Sequence, residues 1–435
     1  MVREMRCAGL SPVSVYPPIE LAYLAGVLRK TAEVRALDAN ALDLDFEEVE
    51  AEIKKIEPDA LVFTTSPASF SQDAKIAEIA KKINAKTKTI LLDSHIAPVM
   101  PEKIKEAFPQ IDYLVGQEPL LNIPALLGFE GISDLARHPL PAYDLLPLEK
   151  YSSLTFSRKK PFAALITSVG CPFKCNFCVI GGATVERGYG NNWRFKSAEK
   201  IFQEIRHLLS LGVKSVYFFD ETFTAQKQRV MDLCRMIKQE GLKFEWSCNG
   251  RVDTLDEEVI WAMKETGCWN ILFGIESGSE LVLEEVNKGF FLDKAKKAIA
   301  LCKKAGINAS ASFIIGLPNE TKETVKETLK IAKEISPHMA QFVIATPYPG
   351  TRFYDEAKEK GLLRQDYSFS GFDAYCVDHL PVVRSEKMSS EELLSAQKYV
   401  YRKFYLRISF LLKSLLDIKS FSQFFNLLKG VRYLK

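Results

Sequence analysis

The sequence predicts an α/β protein with two parallel sheets: an N-terminal doubly wound sheet, then a partial (β/α)6 TIM barrel that ends in a C-terminal helical extension. Three observations support this. Short apolar runs alternate with helical patterns along most of the chain. The length of 435 residues exceeds that of one ordinary core. A proline-bearing connector at 126–160 separates two series of alternating elements.

Composition excludes several classes of protein. An apolar content of 47% with 26% charged residues is typical of a folded chain, so disorder is not indicated. The chain has nine cysteines, an odd number that does not suggest a disulfide framework. No signal peptide begins at Met1, and no apolar run approaches the twenty residues of a membrane-spanning helix. These features predict a reducing, cytoplasmic location. The formal net charge is only +3, and no recognised nucleic-acid-binding module accompanies the basic C-terminal tail, so a nucleic-acid partner is not expected.

Residues 1–125 predict the doubly wound sheet. The expected strands are 2–8, 33–37, 60–64, 87–92 and 113–115, and the expected helices are 19–29, 46–56, 71–83 and 102–108. Such sheets bind ligands at the carboxyl ends of their strands. The polar and proline residues found there are Tyr16, Pro17, Asp38, Asn40, Thr64, Thr65, Ser66 and His95. No glycine-rich dinucleotide fingerprint follows a strand, so a nicotinamide or flavin site is not expected.

Six strand and helix units follow the connector and predict three quarters of an eight-unit barrel over 161–355. The expected strands are 163–167, 215–219, 244–248, 270–273, 309–315 and 342–345. The expected helices are 197–211, 227–240, 257–266, 292–305 and 323–335. Barrels of this kind carry their chemistry on the loops at the carboxyl ends of the strands.

The first of these loops holds Cys171, Cys175 and Cys178 in the spacing C-x3-C-x2-C. Random placement of the cysteines would give this spacing with a probability of about 0.4%. Three thiolates suit zinc or an iron–sulfur cluster, but a zinc site needs a fourth ligand, and no Cys or His follows before His207. A four-iron cluster would keep one iron open to a small molecule. A zinc knuckle and three buried thiols remain as alternatives.

This loop, with Phe177 before the last cysteine, resembles the signature of the radical S-adenosylmethionine (SAM) superfamily. The resemblance implies one 4Fe–4S cluster on the three cysteines, with SAM chelating the open iron. The other cysteines stand singly, which predicts buried free thiols and no second cluster. They are Cys7, Cys234, Cys248, Cys268, Cys302 and Cys376.

Acidic, amide and glycine residues gather at the later strand ends of the barrel. By the same resemblance, Asp220 and Glu221 contact the SAM amino group. Asn249 and Arg251 meet its ribose and carboxylate, and Glu276 lies near the ribose. Gly316 allows the backbone to approach adenine. Each acid has a plainer interpretation as a helix N-cap or a solvated loop end.

The N-terminal layout, with the run Pro-Pro-Ile-Glu-Leu-Ala-Tyr-Leu-Ala at 17–25, resembles the cobalamin-binding domain fused ahead of many radical SAM enzymes. This implies a Rossmann-like domain that holds cobalamin at its strand ends, with Glu118 among the contacts. The chain departs from the D-x-H-x-x-G motif by having Pro98 for glycine, and from Gly-Glu-Gly-Glu by having Gly-Gln-Glu at 116–118. His95 could ligate cobalt, line the lower corrin face or donate a hydrogen bond.

Together these patterns predict a cobalamin-dependent radical SAM methyltransferase. It would transfer a methyl group from SAM, through methylcobalamin, to an unactivated sp3 carbon of a peptide, lipid or small molecule. A glutamine of methyl-coenzyme M reductase is one candidate, and a flavodoxin or ferredoxin would donate electrons. The alternatives are cobalamin chemistry without methyl transfer, such as cyclisation or carbon–carbon bond formation, a tRNA-modifying enzyme with a second cluster, and a silent cofactor sensor.

The C-terminal residues 356–435 combine a loop with a basic tail. Residues 367–379 have no regular period, which predicts a loop over the substrate gap with Tyr375 as a catalytic contact, or else a surface connector. From Lys398 onward the chain has nine Lys and Arg residues against one acid, Asp417. This basic amphipathic stretch favours capping of the barrel over contact with an anionic membrane.

Overall fold

The N-terminal sheet consists of three parallel strands in the order β1 (Ala60–Thr64), β2 (Lys88–Leu92) and β3 (Tyr113–Val115). The structure is a computed structural model that describes residues 14–66, 69–93, 96–98, 100–153, 155–181, 193–364, 380–408 and 410. The three strands match their predictions, whereas the predicted strand 2–8 lies outside the described residues. Over 33–37 no strand forms, and only Leu37 makes an isolated bridge.

Seven helices in the described residues surround this sheet: α1 (Ile19–Leu28), α2 (Ala39–Leu42), α3 (Phe46–Ile56), α4 (Phe70–Asp73), α5 (Lys75–Ile83), α6 (Pro101–Ala107) and α7 (Pro119–Leu126). The predicted helix 71–83 is divided at Ala74 into α4 and α5. Nine of the ten residues of α1 are buried, because this helix packs between the N-terminal sheet and the barrel. Its apolar sequence is therefore that of an interior helix.

The structure confirms the six strands and the five helices that were predicted for the barrel. Its strands are β4 (Phe162–Leu165), β7 (Ser215–Phe218), β8 (Glu245–Gly250), β9 (Cys268–Glu276), β10 (Asn308–Ile315) and β11 (Met339–Ile344), and between β4 and β7 the short strands β5 (Ser168–Val169) and β6 (Arg194–Phe195) pair antiparallel. The six long strands are parallel and each pairs with its neighbour in the chain, so β4 and β11 form the two edges.

Eight helices in the described residues accompany this sheet: α8 (Ala198–Ser210), α9 (Lys227–Gln239), α10 (Glu257–Glu265), α11 (Glu280–Glu285), α12 (Leu292–Ala305), α13 (Lys322–Ile335), α14 (Arg352–Glu359) and α15 (Ser390–Tyr405). Helix α15 packs on α13 and β11. No helix in the described ranges is both long and apolar enough to cross a bilayer. Residues 411–435, which carry most of the basic tail, lie outside the described part of the chain.

Tyrosine hydroxyls satisfy the backbone at both edges of the barrel sheet. On β4, the Tyr143 hydroxyl donates to the Ala164 carbonyl at 2.8 Å and accepts from the Ala164 N–H at 3.2 Å. On β11, the Tyr405 hydroxyl donates to the Ala340 carbonyl at 2.6 Å and accepts from its N–H at 3.1 Å. Because open edges are prone to pair with other chains, these contacts occupy backbone groups that each edge would otherwise leave unpaired.

A buried ion pair joins α1 to the barrel. The Lys196 ammonium lies 2.8 Å from a Glu204 carboxylate oxygen, and both side chains are fully buried. The Tyr23 hydroxyl donates to the other carboxylate oxygen of Glu204 at 2.6 Å and accepts from Lys196 at 3.0 Å. Three buried polar groups from two parts of the fold thus satisfy one another, which orients the N-terminal sheet on the barrel.

Candidate cofactor site at the barrel mouth

The three-cysteine loop begins directly after β5 and is held by segments that are distant in the chain. The Asn176 N–H donates to the Val286 carbonyl at 3.0 Å, and the Asn287 amide donates to the Lys174 carbonyl at 2.8 Å. A Cβ at Gly181 would lie 2.0 Å from the Phe173 carbonyl oxygen, so the return of the loop requires glycine there. The loop is therefore held through its backbone groups, and these contacts do not use the thiols.

The surroundings of the thiols fit an iron–sulfur cluster. Cys171, Cys175 and Cys178 are free of disulfides, and the Ile180 N–H donates to the Cys178 sulfur at 3.4 Å. Hydrogen bonds to the sulfur ligands are among the contacts that tune an iron–sulfur cluster. Burial, with a smaller contribution from Glu221, raises the pKa of the Cys178 thiol to about 12.

Asp220 and Glu221 follow β7 but have different surroundings. Asp220 is 1% exposed, and its carboxylate accepts from the N–H groups of Thr167 and Ser168 at 2.7 and 3.0 Å. It also accepts from Arg229 at 3.2 Å. These contacts fix the turn from β4 into the cysteine loop, whereas the Glu221 side chain is exposed at the mouth. The predicted contact of Asp220 with the SAM amino group stays a prediction.

Asn249 and Glu276 are also engaged by the chain. The Asn249 amide donates to the Asp220 carbonyl, and its oxygen accepts from the Tyr217 hydroxyl, both at 2.9 Å. Glu276 has a φ of 70° and lies 2.7 Å from the Lys288 ammonium. A strained left-handed residue at a strand end is typical of functional sites. Both side chains are thus held in fixed orientations at the mouth.

Gly316 follows β10 with a φ of 96°, which favours glycine. Its N–H donates to the fully buried Glu320 carboxylate at 2.6 Å. Burial raises the pKa of Glu320 to about 7, although the bond from Gly316 opposes this shift. Leu393 of α15 lies close over the glycine. The backbone at Gly316 is therefore fixed by a carboxyl group that the sequence analysis did not select.

Several predicted cobalamin contacts bind other parts of the chain. Asp38 accepts from the Ala41 N–H at 3.0 Å and from the Tyr151 hydroxyl at 2.9 Å, so it caps α2 and anchors the connector. The Tyr16 hydroxyl accepts from Ser153 at 3.1 Å. Pro17 is buried beside it.

The loop after β1 forms a hydroxyl network. Thr65 and Ser69 both donate to the buried Asp73 carboxylate, at 2.9 and 2.6 Å, and the hydroxyls of Ser66 and Ser69 lie 2.8 Å apart. Thr64 ends the strand half-buried. Ser69 and Asp73 could not be predicted from the sequence, because their role depends on α4 folding back over the strand end.

Asn40 offers a hydrogen-bond acceptor to a group bound at the N-terminal sheet. Its Oδ1 atom is buried and has no hydrogen-bond partner within the described residues. Such an acceptor carries a free-energy cost unless a ligand satisfies it. The amide side chains of cobalamin could donate this bond. His95 and Tyr375 lie outside the described residues.

Glu118 links the two halves of the molecule. Its carboxylate pairs with the Arg194 guanidinium, which comes from β6 at the barrel. Both residues line a cavity of about 140 Å³ together with Tyr23, His138 and Gly170. Gly170 directly precedes Cys171, so this cavity extends from the end of β3 to the start of the cysteine loop.

His138 should make the fold acid-sensitive. Burial, together with Lys196, Lys200 and Arg194, lowers the pKa of His138 from 6.5 to about 3. Between these values the unfolded chain binds a proton that the folded chain does not, so stability should fall as the pH decreases below 6.5. The loss contributed by this residue is at most about 1.4 kcal/mol per pH unit.

The variant His138→Gln should show a shallower loss of unfolding free energy between pH 6.5 and 5, measured by denaturant titration. His207→Gln, on the partly exposed face of α8, serves as the control. An unchanged slope in His138→Gln would contradict the assignment.

Sequence reasoning missed the cations that hold the predicted acids. Arg229 binds Asp220, Lys288 binds Glu276, and Arg194 binds Glu118. The two members of these pairs are 9, 12 and 76 residues apart in the sequence. No local sequence pattern indicates such pairs, because only the folded chain brings their members together.

Comparisons with known proteins agree with this geometry. Residues 165–332 match the family model of the radical SAM superfamily, and residues 5–121 match the B12 binding domain. The uncharacterized methyltransferase PH0819 of Pyrococcus horikoshii is 35% identical over 93% of this chain and 91% of its own length. The anaerobic magnesium-protoporphyrin IX monomethyl ester cyclase of Rubrivivax gelatinosus is 28% identical over 91% of this chain and 75% of its own.

The solved structure of the cobalamin-dependent SAM radical enzyme OxsB, with aqua-cobalamin and SAM bound, matches 99% of this chain and 70% of that chain. Its TM-score is 0.73 at 15% sequence identity, which shows a shared fold. The two matched family domains assign a 4Fe–4S cluster, SAM and cobalamin as cofactors. The chain is therefore an enzyme that belongs to the radical SAM superfamily, among its cobalamin-binding members of the class B methyltransferase type.

Proposed function

We propose that this enzyme is a C-methyltransferase that adds a methyl group from SAM to an unactivated sp3 carbon. The observation that supports this most is the shared cavity, in which the end of β3 and the start of the cysteine loop lie side by side. When bound, the cluster with SAM supplies hydrogen abstraction and cobalamin supplies the methyl group. The task of the chain is to position both on one substrate and exclude water.

The residues of the barrel mouth divide into two roles. Cys171, Cys175 and Cys178 would ligate the cluster, and the exposed Glu221 would accept a hydrogen bond from the SAM amino group. Asp220 would act indirectly, by fixing the turn that leads into the cysteine loop.

The other predicted contact residues would bind SAM and cobalamin in the roles that the sequence predicted for them. Asn249 and Glu276 would orient the ribose, and Gly316 would admit adenine. In the N-terminal sheet, Asn40 would accept a bond from cobalamin.

The proposed reaction is compatible with several classes of substrate. A peptide side chain, a lipid or a small molecule would suit the site, and a glutamine of methyl-coenzyme M reductase is one candidate. A flavodoxin or ferredoxin would supply the electron. A second candidate reaction is cyclisation without methyl transfer, which the similarity to a magnesium-protoporphyrin ester cyclase supports.

Product analysis separates the two reactions. The reconstituted holoenzyme would be incubated anaerobically with methyl-deuterated SAM, reduced flavodoxin and a glutamine-containing peptide of methyl-coenzyme M reductase. A methyltransferase should form both S-adenosylhomocysteine and 5′-deoxyadenosine, whereas a cyclase should form deoxyadenosine without S-adenosylhomocysteine. Conversion of a substrate with formation of deoxyadenosine but without S-adenosylhomocysteine would contradict methyl transfer. Deuterated methyl on the peptide would identify the glutamine substrate.

A further inference from the structure

Arg251 places a buried cation against one of the cluster cysteines. It directly follows β8 at the barrel mouth and is 5% exposed. Its Nη1 atom donates to the Cys175 sulfur at 3.8 Å. Cys175 is itself 7% exposed, so water contributes little to screening this contact.

The rest of the guanidinium is locked in place. Its Nε atom donates to Asp253 at 2.8 Å, and Nη2 donates to the same carboxylate at 3.3 Å and to the Lys288 carbonyl. The rings of Phe173 and Phe290 lie 4.0 and 5.1 Å from its central carbon. These bonds and the one to Cys175 use four of the five N–H groups that an arginine has. The side chain is therefore oriented toward the cysteine before any ligand binds.

We propose that Arg251 sets the reduction potential of the cluster through Cys175. Reduction adds one negative charge to the cluster, and a fixed positive charge with a hydrogen bond to a ligand sulfur stabilises that charge. Arg251 therefore raises the midpoint potential, which helps an external flavodoxin or ferredoxin to deliver its electron. No covalent bond changes at the arginine. This role differs from the predicted contact with the SAM carboxylate, and it holds for any methyl acceptor.

The midpoint potential of the SAM-free cluster tests this role. It would be measured by electron paramagnetic resonance during redox titration of reconstituted wild type, Arg251→Gln and Arg251→Lys. Arg251→Gln should shift the midpoint to more negative potential by at least 59 mV, a tenfold change in the one-electron equilibrium. Arg251→Lys keeps the charge but not the planar fork, so it should fall between the two. A residue that only binds the SAM carboxylate would leave the SAM-free potential unchanged.

The control is Arg158→Gln. Arg158 also pairs with a carboxylate, Glu245 at 2.9 Å, and lies 4.7 Å from the Trp269 ring, but it sits at the amino ends of the strands. Its loss should leave the potential unchanged. The proposal would be overturned if an Arg251 variant that keeps about four irons had a midpoint potential equal to or higher than that of wild type. Loss of the cluster from both variants would also overturn it, since Arg251 would then hold the loop.

Discussion

Replacing Cys175 with alanine is expected to remove the cluster and abolish reductive cleavage of SAM. Among the described residues, three cysteines lie at the barrel mouth, and a four-iron cluster held by three of them loses a second protein-bound iron when one is removed. Iron and sulfide content should fall to near background after anaerobic reconstitution, and 5′-deoxyadenosine should no longer form. Cys171→Ala and Cys178→Ala should behave alike.

Cys302→Ala is the matched control for the cysteine variants. Cys302 is a fully buried free thiol on α12, and burial raises its pKa to about 12. Its variant should keep about four irons per chain. Retention of the cluster in Cys175→Ala, or its loss in Cys302→Ala, would contradict the assignment of ligands.

The second large effect concerns stability. Lys196→Met should lower the free energy of unfolding by about 3–5 kcal/mol, because it leaves the Glu204 carboxylate buried without a cation. Denaturant titration measures the loss. The double variant Lys196→Met with Glu204→Gln should recover most of it, since the neutral amide can still accept from Tyr23.

An exposed ion pair with the same N···O distance is the control for this prediction. Lys82 and Glu78 on α5 are also 2.8 Å apart, but both are largely exposed. Because water screens such pairs, Lys82→Met should lower the free energy of unfolding far less than Lys196→Met does. Equal losses in Lys196→Met and Lys82→Met would show that burial of the Lys196 pair has no energetic role.

The barrel could be predicted from sequence because all six parallel strands carry buried apolar residues, and some of them, such as Phe162–Leu165, are buried on both faces. Runs such as Ser215–Phe218 are short and apolar, and each is followed by polar residues where the strand ends. The segment 33–37 was wrongly predicted as a strand. Its residues alternate between exposed and half-buried, but an alternating pattern does not specify a pairing partner. The break at Ala74 was missed because it depends on Asp73 turning inward to bind two hydroxyls.

The candidate site was likewise predictable only in part. The cysteine loop is local in sequence, so its spacing predicted its chemistry. The contacts of Asp220, Glu276 and Glu118 are tertiary, and their cationic partners come from other elements. Residue types at strand ends therefore located the site but could not say which carboxylates face a ligand and which support the loops.

Metal analysis of the chain would show whether one polypeptide holds a cobalamin beside a single three-cysteine cluster. After anaerobic reconstitution with iron, sulfide and cobalamin, we expect one cobalt and about four irons per chain. About eight irons would require a second cluster, and absence of cobalt from a folded, iron-loaded chain would contradict the presence of a cobalamin site.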